Sequence, residues 1–236
     1  MTYLIIFFTA CETKTTTDTT GLNDAFNEFS ENTTIYADGD EVVIETTGLP
    51  NHTSPYWSTA HELYVEPTVT TAENMAPGNI DNFNGSYTLR VPKVPEKASS
   101  TTSTGLGAIG IAVSGSVIYN DEEGQNVPLD NAAPSLDYSG AHTGPQSYHY
   151  HLEPKAWSND DGNLIGIISD GFFLYGLQEH NTGEYPTDLD ESGGHTGATQ
   201  HSSEEHYHYH IQNELYLDQY YILFPGDYQG TPNSIQ

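Results

Sequence analysis

From Ile35 onward the apolar residues of this 236-residue chain come in short runs bounded by turn formers, and nowhere does a 3.6-residue apolar period hold over three turns. Ile35-Tyr36 and Val42-Val43-Ile44 flank Asp38-Gly39, which predicts a hairpin. Tyr87-Thr88-Leu89-Arg90-Val91 alternates as a strand that Pro92 and Pro95 end. Between them, Thr46 to Trp57 is a turn-rich connection carrying an isolated His52, and Glu96 to Thr104, rich in Ser and Thr, reads as a surface loop.

The pattern then repeats. Ile109-Gly110-Ile111-Ala112-Val113-Ser114-Gly115-Ser116-Val117-Ile118-Tyr119 aligns without a gap on Ile165-Gly166-Ile167-Ile168-Ser169-Asp170-Gly171-Phe172-Phe173-Leu174-Tyr175, and each reads as strand, two-residue turn, strand. Downstream of each comes a hexamer, Ser139-Gly140-Ala141-His142-Thr143-Gly144 or Ser192-Gly193-Gly194-His195-Thr196-Gly197. A tetrapeptide follows, Tyr148-His149-Tyr150-His151 or Tyr207-His208-Tyr209-His210. Equivalent residues are 56 apart in the hairpins, 53 apart at His142 and His195, and 59 apart at His149 and His208. Two repeats are too few for a solenoid, which needs about three. The expected architecture is mainly β, a single compact sandwich or irregular barrel over residues 31–225, with repeat halves at about 107–154 and 163–213 and a C-terminal tail at 226–236.

In an extended strand, each tetrapeptide puts two imidazoles on one face and two phenols on the other. Histidines two apart on a strand lie about 7 Å apart at Cα, close enough for both to reach one metal ion. His142 or His195 supplies a third ligand from the adjoining turn, giving either three histidines per repeat or one shared site between the repeats. Three imidazoles with an open position suit zinc or copper, and the lack of a neighbouring Cys or Met argues against cuprous ion. The alternative is a polar seam in which these residues bond to backbone and carboxylates. Recurrence in register of six of the 11 histidines favours metal.

Several other residues are weighed beside the histidines. Asp137, Asp188 and Asp190 precede the two hexamers as candidate metal ligands, as partners that fix an imidazole tautomer, or simply as turn residues, and Tyr148, Tyr150, Tyr207 and Tyr209 back the histidine pairs. Were the protein a metal-dependent hydrolase or redox enzyme, Asp170 or Glu205 would be the candidate catalytic base, although Asp170-Gly171 is also what a tight turn wants. No nucleophile elbow, phosphate loop or zincin helix is present. A third possibility is a glycan-binding or adhesion module using Trp57 and Trp157, with structural histidines and tyrosines.

Composition narrows the partners. With 33 acidic against 5 basic residues, the formal charge of −28 excludes nucleic acid and repels anionic lipid, while it attracts cations. Calcium at acidic loops is one outlet for that charge, and a solvated surface is the simpler one. The single Cys11 excludes an internal disulfide framework and a Cys-based zinc site. Residues Tyr3 to Phe8 are an apolar run too short to span a bilayer, ending in Phe8-Thr9-Ala10-Cys11. This resembles a bacterial lipoprotein signal, though no Lys or Arg precedes the run. It implies a signal peptide at 1–10, lipidation of Cys11, a polar tether at 11–30, and an envelope-anchored or secreted protein whose membrane contact is the anchor alone.

The chain also resembles the bacterial secreted YHYH domain family, for which the tetrapeptide is the signature. Thr47-Gly48-Leu49-Pro50-Asn51-His52, the Tyr87 to Pro95 strand, Ile109-Gly110-Ile111-Ala112-Val113, Leu164-Ile165-Gly166 with Asp170-Gly171 and Tyr175-Gly176, and Asp188-Leu189-Asp190 follow that pattern in order, over about residues 35–215. Ser114 stands where the family usually has Asn, and Gly140-Ala141 where it has Gly-Gly. The resemblance adds His52 to the candidate metal ligands and implies an envelope or secreted location; it implies no activity.

Overall fold

A computed structural model describes residues 19–67, 77–144, 146–154 and 162–236. Among them there is no α-helix, and none long and apolar enough to cross a membrane. The predicted Asp38-Gly39 hairpin joins β1 (Thr33–Asp38) to β2 (Glu41–Thr46), and the alternating strand after it is β3 (Tyr87–Pro92). These three form an antiparallel sheet in the order β1-β2-β3.

The two repeats build one eight-stranded sheet. The first supplies β4 (Gly110–Ala112), β5 (Val117–Ile118), β8 (Ala141–Thr143) and β9 (Tyr148–Tyr150). The second supplies β10 (Leu164–Ile168), β11 (Phe173–Tyr175), β12 (Gly194–Thr199) and β13 (Ser202–His210). A small separate hairpin, β6 (Glu122–Gly124) with β7 (Val127–Pro128), lies between β5 and β8 in the chain.

Strand order in the large sheet is β12-β13-β11-β10-β4-β5-β9-β8, which reads the same from either end once each strand is matched to its repeat partner. The centre is the antiparallel pair β4 and β10, where Ile111 faces Ile167, its own equivalent 56 residues on, and Gly110 and Ala112 face Ile168 and Gly166. A pseudo-twofold axis therefore passes through the Ile111–Ile167 pair. Glycine is required beside it: a Cβ on Gly166 would sit 2.4 Å from the Ile111 carbonyl oxygen, and one on Gly110 would sit 2.7 Å from that of Ile167. On each side the hairpin adds its own tetrapeptide strand in parallel, β5 to β9 and β11 to β13, and the hexamer strand closes the edge antiparallel. The sheet stays open, so the fold is sandwich-like and not a barrel.

One face of its centre is covered by the three-stranded sheet, through Val42, Ile44, Leu89 and Val91 packed on Ile111 and Ile167. Against the other face pack Tyr56, Trp57, Ile80, Leu223 and Phe224 from the connecting segments, around Tyr148, Tyr150 and Tyr209. This division follows from the tetrapeptides. Alternation sends their tyrosines to the second face and their histidines to the first, outside the area the small sheet covers.

Both ends of the domain differ from expectation. Residues 19–30, assigned to the polar tether, contain a 3-10 turn at Asp24–Glu28 with the Asn23 side chain capping the Ala25 amide. Ala25 is buried, and Leu22, Phe26 and Phe29 pack on the Val42 cluster. Their spacing gives one apolar stripe that the polar composition around it conceals. The assigned tail at 226–236 is likewise tied down: Tyr228 pairs with Thr102, the Gly230 amide donates to Asp170, and Gln236 exchanges backbone bonds with Thr88. Cys11, the apolar run before it and Trp157 lie outside the described residues.

Candidate metal centres

Within each repeat three imidazoles converge. His142 on β8 is directly opposite His149 on β9, and His195 on β12 is directly opposite His208 on β13, so each pair shares a face at cross-strand distance. His151 and His210 follow two residues along and complete the triangles. Ring centroids are separated by 4.6, 5.3 and 4.9 Å in the first triad (142–149, 142–151, 149–151) and by 4.8, 5.2 and 4.9 Å in the second (195–208, 195–210, 208–210). The geometry thus gives one cluster per repeat and no shared one. Five inter-strand steps separate β9 from β13, which at about 4.8 Å each puts the clusters roughly 24 Å apart.

The outer nitrogens are committed. His149 Nδ1 donates to the Ser147 carbonyl at 2.9 Å and His151 Nδ1 to that of Asn120 at 2.6 Å. In the second repeat His208 Nδ1 donates to His206 at 2.9 Å and His210 Nδ1 to Gly176 at 2.7 Å. A carbonyl only accepts, so these four rings carry their proton on Nδ1 and present a bare Nε2 lone pair inward. His195 Nδ1 is held by the Asp188 carboxylate at 2.9 Å.

The inner nitrogens meet. His208 Nε2 lies 3.2 Å from His195 Nε2 and 3.1 Å from His210 Nε2. Ligands at zinc–nitrogen distances of about 2.05 Å in a tetrahedron stand about 3.3 Å from one another, close to these separations. A carboxylate joins them: Glu179 Oε1 is 2.7 Å from His195 Nε2 and 3.8 Å from His210 Nε2. In the first repeat Glu123 Oε1 stands 3.4 Å from His142 Nε2 and 3.7 Å from His151 Nε2. The buried His151 Nε2 has no hydrogen-bond partner among the described residues.

Burial sets the protonation. It holds the His142, His151 and His208 imidazoles down at about 4 and His210 at about 3, and pushes His149 well below its ordinary range. All five are neutral at pH 7, the form that ligates. Burial also raises the Glu123 carboxyl.

The remaining candidates fall elsewhere. His52 joins neither cluster: its Nε2 accepts from the Tyr150 hydroxyl at 2.6 Å, on the tyrosine face. Tyr148 donates to Asp137 at 2.6 Å, Tyr207 to Asp190 at 3.0 Å and Tyr209 to Asp170 at 2.6 Å. Strand alternation therefore turns these phenols and their carboxylates away from the clustered histidines, and of the expected second-layer partners Asp188 is the one seen bonded to a clustered imidazole among the described residues. Asp170, as a buried acceptor for Tyr209, Gly230 and Phe172, is no base for the clusters. Glu205 is exposed and, two and four residues before Tyr207 and Tyr209 in β13, shares the tyrosine face, so it faces away as well. Trp57 is 5% exposed and stacks on His61 at 4.1 Å, which removes it as a sugar platform.

Glu123 and Glu179 escaped the reading of the sequence, yet a signal for them was there. Continuing the gapless alignment four residues beyond Tyr119 and Tyr175 places Glu123 on Glu179, and Asn120 on Gly176, the two residues whose carbonyls accept from His151 and His210.

A family model described as YHYH protein matches residues 88–184. The matched segment contains the whole first cluster and Glu179, while His195, His208 and His210 lie beyond it. No curated protein and no solved structure matches the chain.

Proposed function

We propose that this chain, of which residues 88–184 match the family model described as YHYH protein, is a YHYH family protein whose paired histidine clusters bind two divalent transition-metal ions, one per repeat. The observation that carries the proposal is the convergence of His195, His208 and His210 Nε2 at 3.1 and 3.2 Å with their Nδ1 protons already given to fixed acceptors. Three lone pairs and the Glu179 carboxylate facing one point repel one another unless a cation lies between them. Near-tetrahedral spacing and an all-nitrogen-and-oxygen donor set favour zinc over copper. Orientation of each imidazole by a backbone carbonyl or a carboxylate is the usual support of a metal ligand.

Support for the rival, a metal-dependent enzyme, comes from Glu123 alone, a carboxylate at the edge of the first cluster. The Phe8-Thr9-Ala10-Cys11 context supports a lipid-anchored or secreted envelope location for the bound metal.

The test is elemental analysis of protein purified without chelating resin or affinity tag. Two equivalents of zinc are expected, one after His208→Ala or His149→Ala, and none after both. Protein that refuses added zinc and copper at neutral pH would make the clusters a polar seam.

A further inference from the structure

The two clusters share their triangle of rings and differ in what completes it. Glu179 belongs to the second cluster, with all four ligand atoms within 4.8 Å of one another, whereas Glu123 is no member of the first. The backbone explains the difference. Glu179 opens a tight turn in which its amide donates to the Glu184 carbonyl at 2.9 Å and its carbonyl accepts from Gly183 at 2.8 Å, which pins the side chain's root over His195. Glu123 instead occupies the irregularity in β6–β7, where register slips between Glu122 and Gly124. Such bulges re-aim a side chain.

Two further contrasts point the same way. Asp188 locks His195 at Nδ1, while among the described residues the ion pair of His142 is with Glu123, at 3.4 Å. In the first cluster the buried His151 Nε2 has no hydrogen-bond partner among the described residues, while its equivalent His210 Nε2 contacts His208 at 3.1 Å. The flanking tyrosines diverge too: Tyr119 lies flat on His149, centroids 3.9 Å apart and 18° between planes. Tyr175 is edge-on to His208 at 80°, its hydroxyl bonded to His201 at 3.0 Å.

We propose, building on the metal reading, that the sites differ in kind: the second is closed by Glu179 as its fourth ligand, and the first keeps an exchangeable position that takes water or a small anion. Glu123 then stands beside that position as a hydrogen-bond acceptor for the bound water instead of a ligand. Any chemistry at the metal belongs to the first repeat, and the second site is a staple. A four-coordinate ion with three protein ligands is what substrate exchange needs, and four protein ligands are what structural sites have.

The experiment loads the full chain with Co2+ and follows its visible absorption as azide is added. Two equivalents of cobalt should bind and one should respond. His149→Ala should abolish the azide response, His208→Ala should retain it, and Glu179→Gln, nearly isosteric, should raise the responding fraction from one equivalent to two. If both cobalt ions respond in the unaltered protein, or neither does, or the response follows His208, the difference between sites is overturned while metal binding stands. A chain that binds no cobalt overturns both.

Discussion

His208 Nε2 and His210 Nε2 lie 3.1 Å apart, and each ring has already donated its Nδ1 proton to a backbone carbonyl. Two acceptors so placed are in conflict until a cation separates them, so metal and fold are coupled. Ligand at 100 times its dissociation constant stabilises a folded protein by about 2.7 kcal/mol per site. Chelation should therefore lower the melting temperature of the unaltered protein markedly, and that of His208→Ala by roughly half as much. Equal melting with and without chelator would remove the coupling.

Asp188 offers a sharper probe because its side chain is 72% exposed and, among the described residues, its bond across the fold is to His195 Nδ1, at 2.9 Å, so replacing it disturbs little else. Loss of such a partner typically weakens metal affinity about 10-fold to 100-fold. Competition of Asp188→Ala protein against a chromophoric chelator should show one site weakened by that amount and the other unchanged. Weakening of both sites, or of neither, would show that Asp188 does not orient a ligand.

Tyr209 tests the opposite face. Its hydroxyl donates to the buried Asp170 carboxylate at 2.6 Å, while the histidines beside it in the strand point the other way. Burial already raises the Asp170 carboxyl. Tyr209→Phe leaves that carboxylate one donor short, at a cost of about 1–3 kcal/mol. Urea denaturation should show this loss, and elemental analysis should still find two equivalents of metal. Loss of metal in Tyr209→Phe protein that remains folded would place the phenol in the site after all.

What the sequence disclosed followed from periodicity. Two-residue alternation in Tyr148 to His151 and in Tyr207 to His210 fixes which side chains share a face, and the 56-residue offset that carries Ile111 to Ile167 already contains the symmetric sheet. The six histidines were likewise legible as candidates, but whether they form one shared site or one per repeat was not: His142 and His195, expected on adjoining turns, lie on strands opposite His149 and His208. Two further kinds of information were not legible. Which residue faces a loop carboxylate depends on where the chain folds back, so Glu179, fixed by a turn, and Glu123, at a bulge, were invisible as site members. Proximity in sequence also misled: Asp137 and Asp190 precede the hexamers, but they cap those turns and accept from Tyr148 and Tyr207. His52 was drawn to the site by a shared segment, and a segment match carries no information about which face of a sheet a loop covers.

Protons compete with metal at both clusters, and they also act on the fold without metal. The folded imidazoles of His142, His151 and His208 titrate at about 4 and that of His210 at about 3, with His149 lower than its ordinary range. An unfolded histidine titrates near 6.5. As pH falls below about 6.5 the unfolded chain takes up protons that the folded chain does not, so the contribution of these residues is intact above that pH and drains away toward pH 4. Asp137 works in the opposite direction: burial raises its carboxyl to about 6, above the unfolded value near 3.9, so its share of stability grows as pH falls through that interval. Five imidazoles outweigh it. The urea midpoint of chelator-treated protein should fall steadily from pH 7 to pH 4.5, and zinc-loaded protein should fall more steeply because protonation also releases the ion. A midpoint in chelator that is flat or rises over this range would mean that the histidines take up protons in the folded state, and with that the neutral, converging lone pairs on which the metal sites rest.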